Sequence, residues 1–327
     1  MPHTRHYVEI SSEDQSLAIA SDTAPEPGPS EILIKVAAAG LNRADLLQRA
    51  GLYPPPADAS PIMGLEVAGT VLAIGEDVKD WQLGDPICAL THGGGYADHA
   101  IAPQGQCMPI PTGMSMEEAA ALPEALLTVW HNIFQRAAMQ PGDKVLIHGG
   151  ASGIGTLGIQ MVKAMGGEVY TTAGSDKKCD ALMALGAVTA INYKIRDFEE
   201  ALTEAGLKDR INVILDLAGG DFIQKNINVA APEGRIVYIA FIRGFQADVN
   251  FAPLLIKRIS LTGSTLRAQS FEQKTRMTNE IREHIYPHLE NGSIKPVIDR
   301  VFELAEVASA HDHMQSGAHM GKIILRT

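Results

Sequence analysis

Apolar positions along the chain fall into two rhythms. In the first third, short strand-like runs at 31–36 (EILIKV), 65–74 (LEVAGTVLAI) and 86–90 (PICAL) are separated by turn-rich stretches such as GEDVKDWQLGD and THGGGYAD. Runs of this length bounded by Gly and Asp read as strands joined by tight turns. From about Val145 the rhythm lengthens. Apolar runs begin near Val145, Val169, Val188, Ile211, Arg235 and Ile259, and helical segments such as TLGIQMVKAMG and KKCDALMALGA fill most of the gaps. That alternation predicts βαβ units and a parallel sheet covered on both faces, an α/β fold. A helix is predicted after Ser270 through Leu289, ending at Asn291-Gly292, and a last strand, GKIILR, is placed to return to the β-rich part. The division expected is 1–125, completed by 266–327, and 126–265. The boundary near 125 lies inside a predicted helix.

Length agrees with two domains, since 327 residues exceed what one core usually organises. The net charge of −11 argues against a nucleic-acid partner, because the basic pieces, Lys177-Lys178 and Lys257-Arg258, are short. No apolar run approaches the ~18 residues of a membrane span, and the start, MPHTRHYVEISS, lacks the regions of a signal peptide. Three scattered cysteines do not make a disulfide framework. No membrane partner and a cytoplasmic location are expected.

The strongest motif is KVLIHGGASGIGTLGIQMVKAMGGEVYTTAGS. A predicted strand at 144–148 runs into Gly149-Gly150-Ala151-Ser152-Gly153-Ile154-Gly155 and then into a helix. Glycines there let backbone N–H groups at a helix N-terminus approach a pyrophosphate. Two registers fit: Gly153-x-Gly155-x-x-Gly158, and Gly150-x-Ser152-x-x-Gly155. The second is preferred because it puts Gly155 in the first helical turn. At the end of the second strand of this domain stand Ala173-Gly174-Ser175-Asp176-Lys177-Lys178. An acid there would favour a free ribose 2′-hydroxyl, whereas small and basic groups favour a 2′-phosphate. With Asp176 read as a helix N-cap, Gly174, Ser175 and Lys178 favour NADPH over NADH.

GLEVAGTVLAIGEDV, LGDPICAL, AAALPEALLTVW, the glycine loop and GKIILR together resemble the medium-chain dehydrogenase/reductase superfamily. AGLNRADLLQRAGLYPPP, LPEALLT, TAGSDKKCDALMALGA and INYK resemble its quinone oxidoreductases. The likeness spans essentially the whole chain. It implies a GroES-like β-rich domain, a Rossmann domain, a site in the cleft between them, and a homodimer formed through the strand near 259–265. Zinc-dependent members carry a cysteine at the position of Asn42 and a histidine at that of Leu65, so the resemblance implies no metal. It makes Gly174, Ser175, Lys178 and Tyr193 the 2′-phosphate contacts and Thr128 a nicotinamide contact, with Gly150, Ser152, Gly153, Ile154 and Gly155 as the pyrophosphate loop. Ala240, Phe241 and Ile242 are expected to meet the nicotinamide ring, with Leu266 and Arg267 lining the cleft or touching the cofactor. Asn42 is expected to orient the nicotinamide or the acceptor oxygen, and Tyr53 to border the acceptor pocket.

The chemistry is consistent with that implication. Alcohol oxidation calls for a Lewis acid to help remove a weakly acidic proton. Hydride addition to a quinone instead yields a delocalised phenolate-like anion, which solvent or a phenol with a pKa of about 10, such as Tyr53, can protonate. The expectation is an NADPH-dependent quinone reductase acting on a small-molecule quinone or enone. Alternatives are a reductase of α,β-unsaturated carbonyls and a non-enzymatic, nucleotide-dependent binding protein. His311, His313 and His319 are not read as a metal cluster, because residues two apart on a helix do not face each other. His131 and His148 are read as satisfied core residues.

Overall fold

An amino-terminal hairpin, β1 (Thr4–Ile10) with β2 (Leu17–Thr23), opens the structure, a computed structural model that describes residues 3–327. The chain forms two units. The first runs to Leu127 and resumes over Arg267–Glu290 and Pro296–Thr327; the second holds Thr128–Leu266 and Asn291–Lys295. The first unit continues with β3 (Glu31–Gly40), β4 (Glu66–Ile74), β5 (Pro86–Leu90), β6 (His99–Pro103) and β7 (Cys107–Pro109). β3 is central, with β4 on one edge and β6 on the other, and it reads almost continuously apolar because side chains on both of its faces are buried. Ile34, Val36, Met63, Val67, Trp81 and Tyr96 form the core beneath it.

The second unit is a six-stranded sheet of β8 (Lys144–Ile147), β9 (Glu168–Ala173), β10 (Thr189–Asn192), β11 (Ile211–Asp216), β12 (Ala230–Tyr238) and β13 (Ser260–Gly263). Every pairing is parallel, and the order β10-β9-β8-β11-β12-β13 reverses direction between β8 and β11. That is the doubly wound arrangement in which ligands bind beyond the strands' carboxyl ends at the reversal point. Leu146, Ile214, Ile236, Phe198 and Phe222 fill its core. This unit begins irregularly. The helix Pro123–Val129 passes directly into a π-helical stretch, Trp130–Arg136, closed by Ala137 N–H donating to the Asn132 carbonyl at 3.0 Å.

The chain then returns to the first unit. The single helix expected up to Leu289 is two, Phe271–His284 and Tyr286–Glu290. Pro287 lacks the N–H that would continue the ladder, and its ring crowds the preceding turn. β14 (Ile298–Glu303) lies parallel to β15 (Lys322–Arg326), and β15 joins β3 antiparallel at Ala38–Gly40. GKIILR thus completes the β-rich sheet. Among the described residues, no helix is long and apolar enough to cross a membrane.

Candidate active site

In the first unit the polar groups gather where β3 ends. Asn42 starts the helix Arg43–Arg49, and its backbone N–H donates to Asp45 Oδ2 at 2.8 Å. Its side chain faces elsewhere. Nδ2 donates to Glu66 Oε1 at 2.8 Å, and Oδ1 accepts from Lys322 Nζ at 2.7 Å. Lys322 also pairs with Glu66 Oε1 and donates to the Leu41 carbonyl at 3.0 Å. Glu66 Oε2 accepts from the Glu124 backbone N–H at 2.8 Å. Glu66 is fully buried and Lys322 is 4% exposed, so this is an ion pair taken out of water with its remaining valences met. The Asn42 amide is clamped by these bonds, which leave Oδ1 one lone pair for a ligand.

Asp45 is buried and ties that helix to the segment before β4, accepting from Gly64 N–H at 3.1 Å and Tyr96 O–H at 3.0 Å. Burial pushes its carboxyl up to about 6 despite these donors. Glu124 is half-buried at the start of the helix Pro123–Val129. Burial, with the Glu66 charge beside it, pushes its carboxyl up to about 8, so it holds its proton at neutral pH. Leu65, at the second expected zinc-ligand position, is buried and apolar. Where zinc-dependent relatives would present ligands, the chain therefore offers an amide bound to an internal ammonium and an aliphatic side chain, a donor set that does not fit zinc. Among the described residues, no group of three or more His, Cys, Asp or Glu side chains is placed to hold a metal.

Tyr53 lies in the turn after the helix, its N–H donating to the Leu47 carbonyl at 3.2 Å. The Arg267 guanidinium sits over its ring, Cζ 5.6 Å from the centroid. Arg267 Nη1 donates to Gln48 Oε1 at 2.8 Å, and Lys274 Nζ donates to the Arg267 carbonyl at 3.0 Å. Burial draws both Arg267 and Lys274 below their ordinary pKa values. The structure thus groups Asn42 with Glu66 and Lys322, and Tyr53 with Arg267. Leu266, grouped with Arg267 from the sequence, belongs to the second unit.

In the second unit β8 leads into the glycine loop. Ser152 caps the helix Gly153–Ala164, its Oγ accepting from Gly155 N–H at 3.0 Å. A Cβ on Gly155 would come within 2.5 Å of the Gly149 carbonyl oxygen, so the helix packs onto the loop only if this residue is glycine. Gly155 belongs to both candidate registers, so its close packing is common to the two. Gly153 and Ile154 occupy the first turn, where a helix has no internal acceptor for its N–H groups. This loop fits a nucleotide pyrophosphate.

At the end of β9, Ser175 rather than Asp176 is the N-cap of the helix Asp176–Leu185, its Oγ accepting from Lys178 N–H at 3.4 Å. The Asp176 carboxylate is engaged by Asn192 Nδ2 at 2.8 Å. Gly174 lies against the Tyr193 hydroxyl, which a Cβ there would meet at 3.2 Å. Gly174, Ser175, Lys178 and Tyr193 are therefore brought together. Thr128 is buried, and its carbonyl accepts from Asn132 Nδ2 at 2.8 Å. Ala240, Phe241 and Ile242 follow β12, with Phe241 stacked on Tyr238 and both Phe241 and Ile242 exposed. His148 is satisfied by Thr172 and Asn226. His131 departs from expectation: Nδ1 meets Gln135, while Nε2 is buried without a partner among the described residues.

The sequence reading missed Glu66, Glu124, Lys274 and Lys322. Glu66 and Lys322 did leave a signal, a charged residue at the first position of a strand that continues with an apolar run.

Two family models match the chain: the alcohol dehydrogenase GroES-like domain over residues 28–112 and the zinc-binding dehydrogenase over 153–280. The chain is 32% identical over 312 residues to quinone oxidoreductase-like protein 2 of Bos taurus, covering 94% of this chain and 88% of that protein. It is 31% identical over 306 residues to a phenolphthiocerol/phthiocerol polyketide synthase of Mycobacterium tuberculosis, and spans 91% of this chain but only 14% of that much longer protein. Among solved structures, the CurK enoyl reductase superposes with a TM-score of 0.86 at 28% identity, over 98% of this chain and 99% of that one. With a GroES-like domain, a Rossmann domain and near full-length likeness to a quinone oxidoreductase-like protein, the chain belongs to the medium-chain dehydrogenase/reductase family of oxidoreductases, among its quinone oxidoreductase-like members.

Proposed function

We propose that the protein is a zinc-independent, NADPH-dependent quinone reductase. The observation that carries this reading is the Lys322 ammonium lodged on Asn42 and Glu66, which fits an acceptor that needs no Lewis acid. NADPH, when bound, supplies the hydride. Gly150, Ser152, Gly153, Ile154 and Gly155 hold its pyrophosphate, and Gly174, Ser175, Lys178 and Tyr193 hold the 2′-phosphate. Asn192 occupies only one oxygen of the exposed Asp176 carboxylate, so the preference for NADPH over NADH rests on Gly174, Ser175 and Lys178. Thr128, Ala240, Phe241, Ile242 and Leu266 border the nicotinamide. Asn42 offers its remaining Oδ1 lone pair to an N–H of the cofactor. Tyr53 borders the acceptor and supplies the proton that, with the hydride, turns a quinone into a hydroquinone. Residues 1–125 with 266–327 act as the catalytic domain and 126–265 as the cofactor domain. A homodimer in the cytoplasm completes the proposal, with β13 as the pairing strand. This strand lies at the edge of its sheet, bonded to β12 alone among the described strands.

The test follows NADPH absorbance with and without 1,2-naphthoquinone, subtracting the enzyme-free rate. Saturable, enzyme-dependent oxidation is expected. No turnover in a preparation shown to bind NADPH overturns the reading. The likeness to an enoyl reductase favours one second reading, reduction of an α,β-unsaturated carbonyl, for which an enone replaces the quinone in the same assay.

A further inference from the structure

The guanidinium of Arg267 is engaged on one side only. The residue is 8% exposed, Nη1 is bonded to Gln48, and Nε and Nη2 are buried and meet no acceptor among the described residues. Those two N–H groups are the parallel pair on one edge of the plane, the edge that takes both oxygens of a carboxylate at once. Gln48 cannot turn to serve them, because its Nε2 donates to the Pro61 carbonyl at 3.0 Å. Lys274, 2% exposed, adds a second buried cation beside the first.

The nearby carboxylates of the first unit are engaged elsewhere. Asp45 is committed to Asn42, Gly64 and Tyr96, and Glu66 to Lys322, Asn42 and Glu124. Asp58 is exposed to solvent and faces His92 at 3.3 Å. Glu124, whose charge both cations would feel, holds its proton at neutral pH. Buried donors left unmet are rare in native proteins, and a buried unpaired cation is rarer still. The pair points to an anionic partner from outside the chain.

We propose that the Nε/Nη2 edge of Arg267, backed by Lys274, is a subsite for a two-oxygen anionic group, and that this group is an acid substituent of the acceptor. The same chemistry would suit a phosphate of the cofactor. The stacking of Arg267 on Tyr53, at the border of the acceptor, favours the acceptor. The inference rests on the reductase reading for its substrate but not for its ligand chemistry.

Two measurements on the full chain separate these. The first compares kcat/KM for 1,2-naphthoquinone and 1,2-naphthoquinone-4-sulfonate in the wild type, Arg267→Gln and Arg267→Lys. Arg267→Gln is expected to lose about 10- to 100-fold more on the sulfonate than on the parent quinone, the span of a charge-assisted hydrogen bond, with the difference carried by KM. Arg267→Lys, which keeps the charge but not the edge, is expected to fall between. Equal losses on both acceptors overturn the proposal, and a change confined to the NADPH KM reassigns the edge to the cofactor and overturns it as well. The second measurement needs no turnover and no variant. Benzoate and benzamide are titrated calorimetrically into wild-type protein loaded with NADPH, and benzoate is expected to bind at least about 10-fold tighter. If 1,2-naphthoquinone is not reduced but benzoate is preferred, the quinone reading falls and the anion subsite stands. If the quinone is reduced and benzoate shows no preference, the reverse holds.

Discussion

Replacing Lys322 by methionine keeps most of the side chain's volume and removes one charge from the centre of the first unit. In the wild type the ammonium satisfies Glu66 Oε1, Asn42 Oδ1 and the Leu41 carbonyl together. Without it a fully buried carboxylate keeps only two donors, Asn42 Nδ2 and the Glu124 N–H. Breaking a buried pair on one side costs about 3–5 kcal/mol, because the stranded charge bears the loss. Methionine still packs where the lysine stem lay, so cavity formation adds little. At ~2–4 °C per kcal/mol the midpoint should fall by roughly 6–20 °C. Two-unit chains need not unfold in one step, so the assay must report on the first unit alone. The chain has two tryptophans, Trp81 in the first unit and Trp130 in the second. In a Trp130→Phe background, urea unfolding followed by fluorescence therefore reads Trp81. Adding Glu66→Gln to Lys322→Met should restore at least half of the loss, since no charge is then stranded. A loss below about 1 kcal/mol, or a double variant no better than the single one, would refute the reasoning.

Glu124 makes a pH prediction with a definite sign. Its folded pKa of about 8 lies above its unfolded value near 4.3, so the stability it lends is complete below the lower value and lost as pH rises through the higher. Melting curves of wild type and Glu124→Gln should thus diverge from pH 5 to pH 9 in favour of the glutamine; convergence would contradict the assigned shift. Gly155→Val should abolish NADPH binding, read by quenching of intrinsic fluorescence, because its side chain collides with backbone at Gly149 and Gly150. Lys178→Gln should raise the NADPH KM by about 10-fold or more and leave the NADH KM nearly unchanged, the loss of one charge-assisted bond; equal effects on both would remove Lys178 from the 2′-phosphate site. Cys88, Cys107 and Cys179 are buried, and burial pushes the Cys88 thiol up to about 12 and raises the other two. A thiol reagent such as dithionitrobenzoate should label none of them quickly in native protein and all of them in urea.

Most of the second unit was legible in the sequence, because the inner strands of a parallel sheet are buried on both faces and read as apolar runs such as KVLI and INVILD, whereas the edge strand SLTG is largely exposed. Each of the six runs named there corresponds to one of β8–β13. The hairpin β1–β2 was not legible: most of its residues are at least partly exposed, so TRHYVEI and LAIASDT show no strong apolar signal. The π-helical stretch was hidden for a different reason, since WHNIFQR has ordinary helical composition and only the hydrogen-bond pattern sets it apart. At the candidate site, residues close in sequence were readable as a group, as with the glycine loop and Gly174–Lys178. Glu66 and Lys322 are 256 positions apart, and nothing local to either names the other. Asp176 is a matter of one residue: both it and Ser175 are good caps, and the structure gives the cap to Ser175.

The place of β15 bears on how the protein is made. β3 is translated long before the strand that flanks its Ala38–Gly40 edge and the ammonium that neutralises Glu66, both of which come from residues 322–326. The second unit is almost contiguous and can fold while synthesis continues. The first must wait with an open sheet edge and a buried-site carboxylate lacking its counter-ion. A nascent chain stalled or clipped a few residues short of Lys322 would carry a finished nucleotide fold beside an unclosed β domain, the kind of species that chaperones retain and proteases remove.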